Sequence, residues 1–85
     1  MKPIVNVYSA MWCSQCPGFK KMLEARGVEY VDKSLDINST ENMAEFLNLG
    51  FKALPATHIL DQEGNTLFLG TGVDSLDTIV TLYNA

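Results

Sequence analysis

The apolar positions change period several times along the chain, and each change predicts an element. Ile4, Val5, Val7 and Tyr8 form a β-branched and aromatic run ending at Ser9, which reads as a strand buried largely on both faces. From Cys13 the period becomes helical. Phe19, Met22, Leu23 and Arg26 fall at i, i+3, i+4 and i+7, Lys20, Lys21 and Glu24 turn outward, and Gly27 stands where a left-handed residue ends a helix. "VEYVDKSLD" (28–36) reads as a second strand, returning parallel beside the first. Asn38 or Ser39 then caps a second helix, with Glu41 as the capping-box partner of Asn38. Met43, Phe46 and Leu47 form its buried stripe, and Gly50 closes it.

"ATHIL" (56–60) is a strand, "DQEGN" (61–65) a hairpin turn and "TLFLG" (66–70) the antiparallel return. Asp74 or Ser75 caps a last helix with Leu76, Ile79, Val80 and Tyr83 on its apolar face. The order β-α-β-α-β-β-α predicts an α/β fold, a four-stranded mixed sheet flanked by three helices, with residues 1–85 as one domain.

Composition narrows the function classes. Of the 85 residues, 47% are hydrophobic and 19% charged, and no apolar run approaches the roughly 20 residues that cross a bilayer. The start "MKPIVNVYSA" alternates apolar and polar residues, unlike a secretory signal, so no membrane association and a cytoplasmic setting are expected. A net charge of −4 and a pI near 4.6 argue against a nucleic-acid surface, which needs clustered Lys and Arg.

The two cysteines, Cys13 and Cys16, lie in "MWCSQCPG". Structural zinc takes four ligands, and Cys13, Cys16 and His58 are too few within one chain; a dimer sharing a metal across two pairs remains open. Two inert buried thiols fit poorly at a strand-to-helix junction, where side chains are expected to be exposed. A structural disulfide is uncommon in a reducing compartment. A redox pair has a positive argument. At a helix start, unpaired N–H groups and the positive end of the dipole favour thiolate at Cys13. Cys16, one turn further in, is then the resolving thiol.

"VYSAMWCSQC" resembles the strand and active-site turn of glutaredoxins, and its Trp-Cys-x-x-Cys core is similar to thioredoxin. "LNLGFKALPATHIL" and "GTGVDSLDTI" resemble the glutaredoxin segments that carry a cis-proline before the third strand and an acidic turn before the last helix. The resemblance covers nearly the whole chain and implies a thioredoxin-like fold. It implies that Pro55 is cis and faces Cys13, and that the backbone of Leu54 pairs with substrate as an added strand. It implies that Lys52 grips one carboxylate of glutathione and Val73, Asp74 and Ser75 the other. From their own chemistry, Lys52 reads equally as a solvated surface lysine, and Asp74 and Ser75 as helix caps. Trp12 is read as lining the substrate groove, since its neighbour must be reachable. Tyr8 and His58 are assigned to structure.

Departures are specific. Ala10 stands where many glutaredoxins carry lysine, leaving Lys20 and Lys21 as the nearest compensating cations, and Ser14 and Gln15 separate the cysteines in place of Pro-Tyr. Ser-Gln is similar to the Val-Gln of glutaredoxin-like redoxins that serve ribonucleotide reductase, some of which thioredoxin reductase reduces. "FLGTGVDS" lacks the aromatic C-terminal signature of that subgroup. Pro17 is expected to bend the first helix. The implied activity is thiol–disulfide exchange on protein or glutathione-mixed disulfides, by a monomer without a bound cofactor or metal. Glutathione or thioredoxin reductase would be the electron source, and ribonucleotide reductase one acceptor. The alternative from another class is a non-catalytic binding module or metal-bridged dimer.

Overall fold

The computed structural model describes residues 2–36 and 39–85. Strands β1 (Ile4–Ser9), β2 (Val31–Ser34), β3 (Ala56–Leu60) and β4 (Thr66–Thr71) and helices α1 (Cys16–Ala25), α2 (Ser39–Asn48) and α3 (Leu76–Tyr83) follow the expected order. The sheet runs β2-β1-β3-β4. β1 pairs in parallel with β2 and antiparallel with β3, which pairs antiparallel with β4. The expected cap at Asn38 lies outside the described residues. Among those residues, no helix is long and apolar enough to cross a membrane.

Alternation along β1 divides the core. Val5 and Val7 point to one face, where Phe19 and Leu23 of α1, Ile59 of β3 and Ile79 and Tyr83 of α3 close an apolar cluster. Tyr8 points to the other, packing with Phe46 of α2, Phe51, Ala56 and both cysteines. Asn6 shares the Tyr8 face by the same period.

Several expectations need correction. α1 starts at Cys16, three residues later than its periodicity suggests, because Pro17 sits in its first turn, where the missing N–H would have no intrahelical partner. The first α1 bond runs from the Phe19 N–H to the Gln15 carbonyl at 3.0 Å, so Pro17 opens the helix instead of bending it. β2 is shorter than 28–36: Val28 is buried before the strand begins, while its N–H caps α1 through the Leu23 carbonyl at 2.9 Å. Met22 and Leu47 are 38% and 62% exposed; each lies about 100° around its helix from a buried neighbour, Leu23 and Phe46. Arg26 is also outside, closing α1 as its C-cap.

Candidate functional site

β1 delivers the chain into a tight turn in which the Cys13 N–H donates to the Ala10 carbonyl at 3.1 Å. The Asp36 carboxylate, just beyond β2, accepts the Met11 N–H and ties this turn to the neighbouring strand. Met11 and Trp12 are left 87% and 70% exposed. Cys13 and Cys16 form a disulfide with 5.5 Å between their Cα atoms. The sulfurs do not stand out at the junction as their position suggested. Both cysteines belong to the Tyr8, Phe46 and Phe51 cluster, because the first turn of α1 rests on it. They are nevertheless unequal, with Cys13 9% exposed and Cys16 1%.

Pro55 is buried and follows a cis bond from Leu54. Its carbonyl accepts the Gly72 N–H at 2.8 Å, which fastens the turn Val73–Ser75 beside it. Leu54 is half-buried against the cysteine cluster and precedes the first ladder pairs of β3, which begin at Ala56. Its backbone has no backbone partner among the described residues. The fold thus brings Cys13, Cys16 and Leu54 together, with the cis Pro55 next to Leu54 along the chain. Lys52 is exposed and lines an open groove of about 350 Å³ with Phe51, Ala53 and Thr71.

Val73–Ser75 is a single 3₁₀ turn leading into α3. Asp74 is exposed, whereas Val73 packs against the apolar cluster of the opposite face. Ser75 occupies the cap position of α3 but makes no side-chain cap bond there; its hydroxyl donates to the Thr71 carbonyl at 3.1 Å. A Cβ at Gly70 would lie 2.9 Å from the Ser75 Oγ and collide with the Phe68 ring, so glycine permits this close approach.

The charges around the pair were only partly foreseen. Lys20, assigned outward by helical spacing, curls back to Asp32 Oδ2 at 2.9 Å and Ser9 Oγ at 3.3 Å. The Ser9 hydroxyl donates to Asp32 Oδ1 at 2.7 Å. Lys20, Asp32 and Asp36 line one cavity of about 280 Å³ with Cys16 and Pro17. A lysine here is therefore offset by two carboxylates, and it does not replace the cation missing at Ala10. Lys21 is exposed.

On the other side of the cluster, Tyr8 donates its hydroxyl proton to Glu45 Oε1 at 2.9 Å, and Lys33 bonds the same oxygen at 3.2 Å. Burial, then the Glu45 carboxylate, holds the Tyr8 phenol above its usual range. The Tyr8 hydroxyl bond, then Lys33, holds the Glu45 carboxyl below its own. Burial also lowers His58, whose Nε2 lies 2.9 Å from Thr66 Oγ1. Glu45 and Lys33 were absent from the sequence reading; their only signal was a charged position on a helix and on a strand that both flank Tyr8. Among the described residues, no group of three or more His, Cys, Asp or Glu side chains is placed to hold a metal ion.

No protein-family model matches the chain, and no curated protein matches it. Solved structures do. Thioredoxin f from spinach chloroplast superposes with a TM-score of 0.75 at 21% identity, over 99% of this chain and 78% of its own. The fold is thioredoxin-like. The oxidised thioredoxin of Plasmodium falciparum gives a TM-score of 0.73 at 15% identity, over 99% of this chain and 83% of its own. The oxidised C-terminal domain of Neisseria meningitidis DsbD gives 0.60 at 19%, over 98% and 78%. These neighbours are thioredoxins and a DsbD domain and do not single out glutaredoxins. What the chain shares with them is a thioredoxin-like sheet and helices, and on that frame it carries a Cys-x-x-Cys disulfide.

Proposed function

We propose that the protein is a dithiol–disulfide oxidoreductase of the glutaredoxin-like kind. The observation that carries this reading is the Cys13–Cys16 disulfide at the start of α1, with Cys13 the more accessible partner and Leu54 beside it. In the reduced protein the Cys13 thiolate attacks one sulfur of a substrate disulfide, forming a mixed disulfide and expelling the other sulfur as thiolate. The Cys16 thiolate then attacks Cys13 Sγ, breaking the mixed disulfide and closing the pair. The substrate leaves as two thiols, having gained two electrons and two protons. A small thiol or a reductase returns the pair to the dithiol.

The unpaired backbone of Leu54 supports pairing with an extended substrate segment, and Trp12 and Pro55 supply its apolar walls. Lys52 and the Val73, Asp74 and Ser75 turn are the proposed contacts for the two carboxylates of glutathione. With the Ser75 hydroxyl and N–H engaged internally at the Thr71 and Gly72 carbonyls, this turn offers an anion the N–H groups of Val73 and Asp74 more than its side chains. The proposed setting is cytoplasmic and the proposed form monomeric. Protein or glutathione-mixed disulfides are the proposed substrates, with ribonucleotide reductase one proposed acceptor.

Turnover of a model protein disulfide tests this reading, run in parallel with glutathione plus its reductase and with thioredoxin reductase. The native chain is expected to turn over with at least one, and Cys13→Ser with neither. Retained activity in Cys13→Ser would contradict the mechanism, and activity with thioredoxin reductase alone would remove the glutathione contacts at Lys52 and Val73–Ser75.

A further inference from the structure

The face of the sheet that carries α2 holds a second feature. Past the aromatic cluster it opens into a pocket of about 400 Å³, within the range of roughly 300 to 1,000 Å³ that small-molecule sites occupy. Strand register builds its floor, with Asn6 of β1 opposite His58 of β3, and Tyr8 beside Lys33 of β2. Glu45 and Asn48 reach it from α2, and Leu49 and Leu60 give it apolar walls.

Asn6 is 8% exposed and His58 9%. Among the described residues nothing hydrogen-bonds the Asn6 side-chain amide, although it lines the pocket. Its amide atoms are not sealed from solvent: among the described residues the fully buried side-chain polar atom without a partner is Thr57 Oγ1, whereas the Asn6 amide opens on the pocket. Its carbonyl and amino groups are thus left for something that enters the pocket. Lys33 and Glu45 neutralise one another at 3.2 Å. Tyr8 and Lys33 both bond Glu45 Oε1, which leaves Oε2 as a further acceptor. The floor therefore offers paired donors and acceptors with no net charge.

We propose that this pocket binds a neutral, planar heterocycle with a hydrogen-bond donor next to an acceptor, an adenine-type base. Its polar edge pairs with the Asn6 amide, which matches the bidentate geometry by which asparagine reads N6 and N7 of adenine. The ring lies against Leu49 and Leu60, and Asn48 and Glu45 Oε2 close the rim. This site is separate from the disulfide and independent of the redox reading.

Titration of the full oxidised chain with adenosine, followed by ¹H–¹⁵N NMR, tests the proposal, with ribose and adenosine monophosphate as further arms. Saturable shifts are expected at the Asn6 side-chain amide and at the backbone of His58, none with ribose, and no tighter binding of the monophosphate, because the pocket carries no spare cation. Asn6→Ala should weaken binding about tenfold or more, the scale of one bidentate base contact. Asn48→Ala, at the exposed end of α2, leaves the core untouched and should weaken it severalfold. The proposal is overturned by shifts that do not saturate, by shifts centred on Cys13, by a monophosphate that binds ten times tighter, or by Asn48→Ala binding like the native chain.

Discussion

The two faces of the sheet are built on opposite terms. Under α1 and α3 the side chains are mainly apolar and nearly sealed from solvent, Val5, Val7, Phe19, Leu23, Ile59 and Ile79 among them, and Thr57, opposite Val7, adds a buried hydroxyl without a partner among the described residues. Under α2 the aromatic trio Tyr8, Phe46 and Phe51, with ring centroids 5.6 to 5.9 Å apart, shares its space with the cysteines, and Tyr8 bonds the Glu45 carboxylate beside it. The difference teaches that one face carries stability and the other chemistry, and that a single helix, α2, where the opposite face has α1 and α3, leaves room for both a disulfide and a polar pocket.

Substitutions can break that division. The largest effect is expected on the sealed face. Phe19→Ala should cost about 3 to 5 kcal/mol by urea denaturation, while the folded fraction keeps its disulfide chemistry. On the other face, Tyr8→Phe keeps the ring packing and removes only the bond to Glu45. It should cost about 1 kcal/mol, and a loss as large as that of Phe19→Ala would erase the distinction.

The acid limb of stability sharpens the comparison further. Burial lowers the His58 pKa below its ordinary 6.5, so the unfolded chain binds its proton first and stability falls as pH drops below 6.5 toward the folded value. Glu45 is also lowered, from 4.5; the stability it contributes is present above that value and is lost as pH falls through the folded one. Melting temperature measured from pH 7 to pH 3 should therefore decline in two successive windows. His58→Gln should flatten the upper one and Tyr8→Phe narrow the lower one, since it removes the main cause of the Glu45 shift. The smallest effect belongs to the rim of the sealed face. Arg26 reaches Asp77 at 3.9 Å with both side chains largely in water, and Arg26→Ala should change stability by no more than about 0.5 kcal/mol.

Much of the frame was legible because its signals are local. The change of period between Tyr8 and Phe19, the glycines at 27 and 50 with φ of 72° and 84°, and the "DQEGN" turn each act within a few residues. The site was legible as far as "MWCSQCPG" and "LPAT" reach. What escaped depended on side chains meeting across the fold. Lys20 has the spacing of an outward lysine, yet its four-carbon stem lets the ammonium reach Asp32 on a strand twelve residues away. Glu45 and Lys33 converge on Tyr8 only after α2 packs and β2 pairs with β1. Ser75 looked like a cap and instead turns to Thr71, since the 3₁₀ turn before α3 puts that carbonyl within reach. His58, read as a strand residue, bonds Thr66 and also borders the pocket.

The claim that binds the account together is the inequality of the two sulfurs, and trapping tests it most directly. Reduced Cys16→Ser is mixed with a disulfide peptide, quenched with acid, and read by intact mass and peptide mapping. The account predicts one stable mixed disulfide per chain, located at Cys13, with no equivalent adduct at Cys16 in the Cys13→Ser protein. Adducts forming at Cys16 as fast as at Cys13 would contradict it.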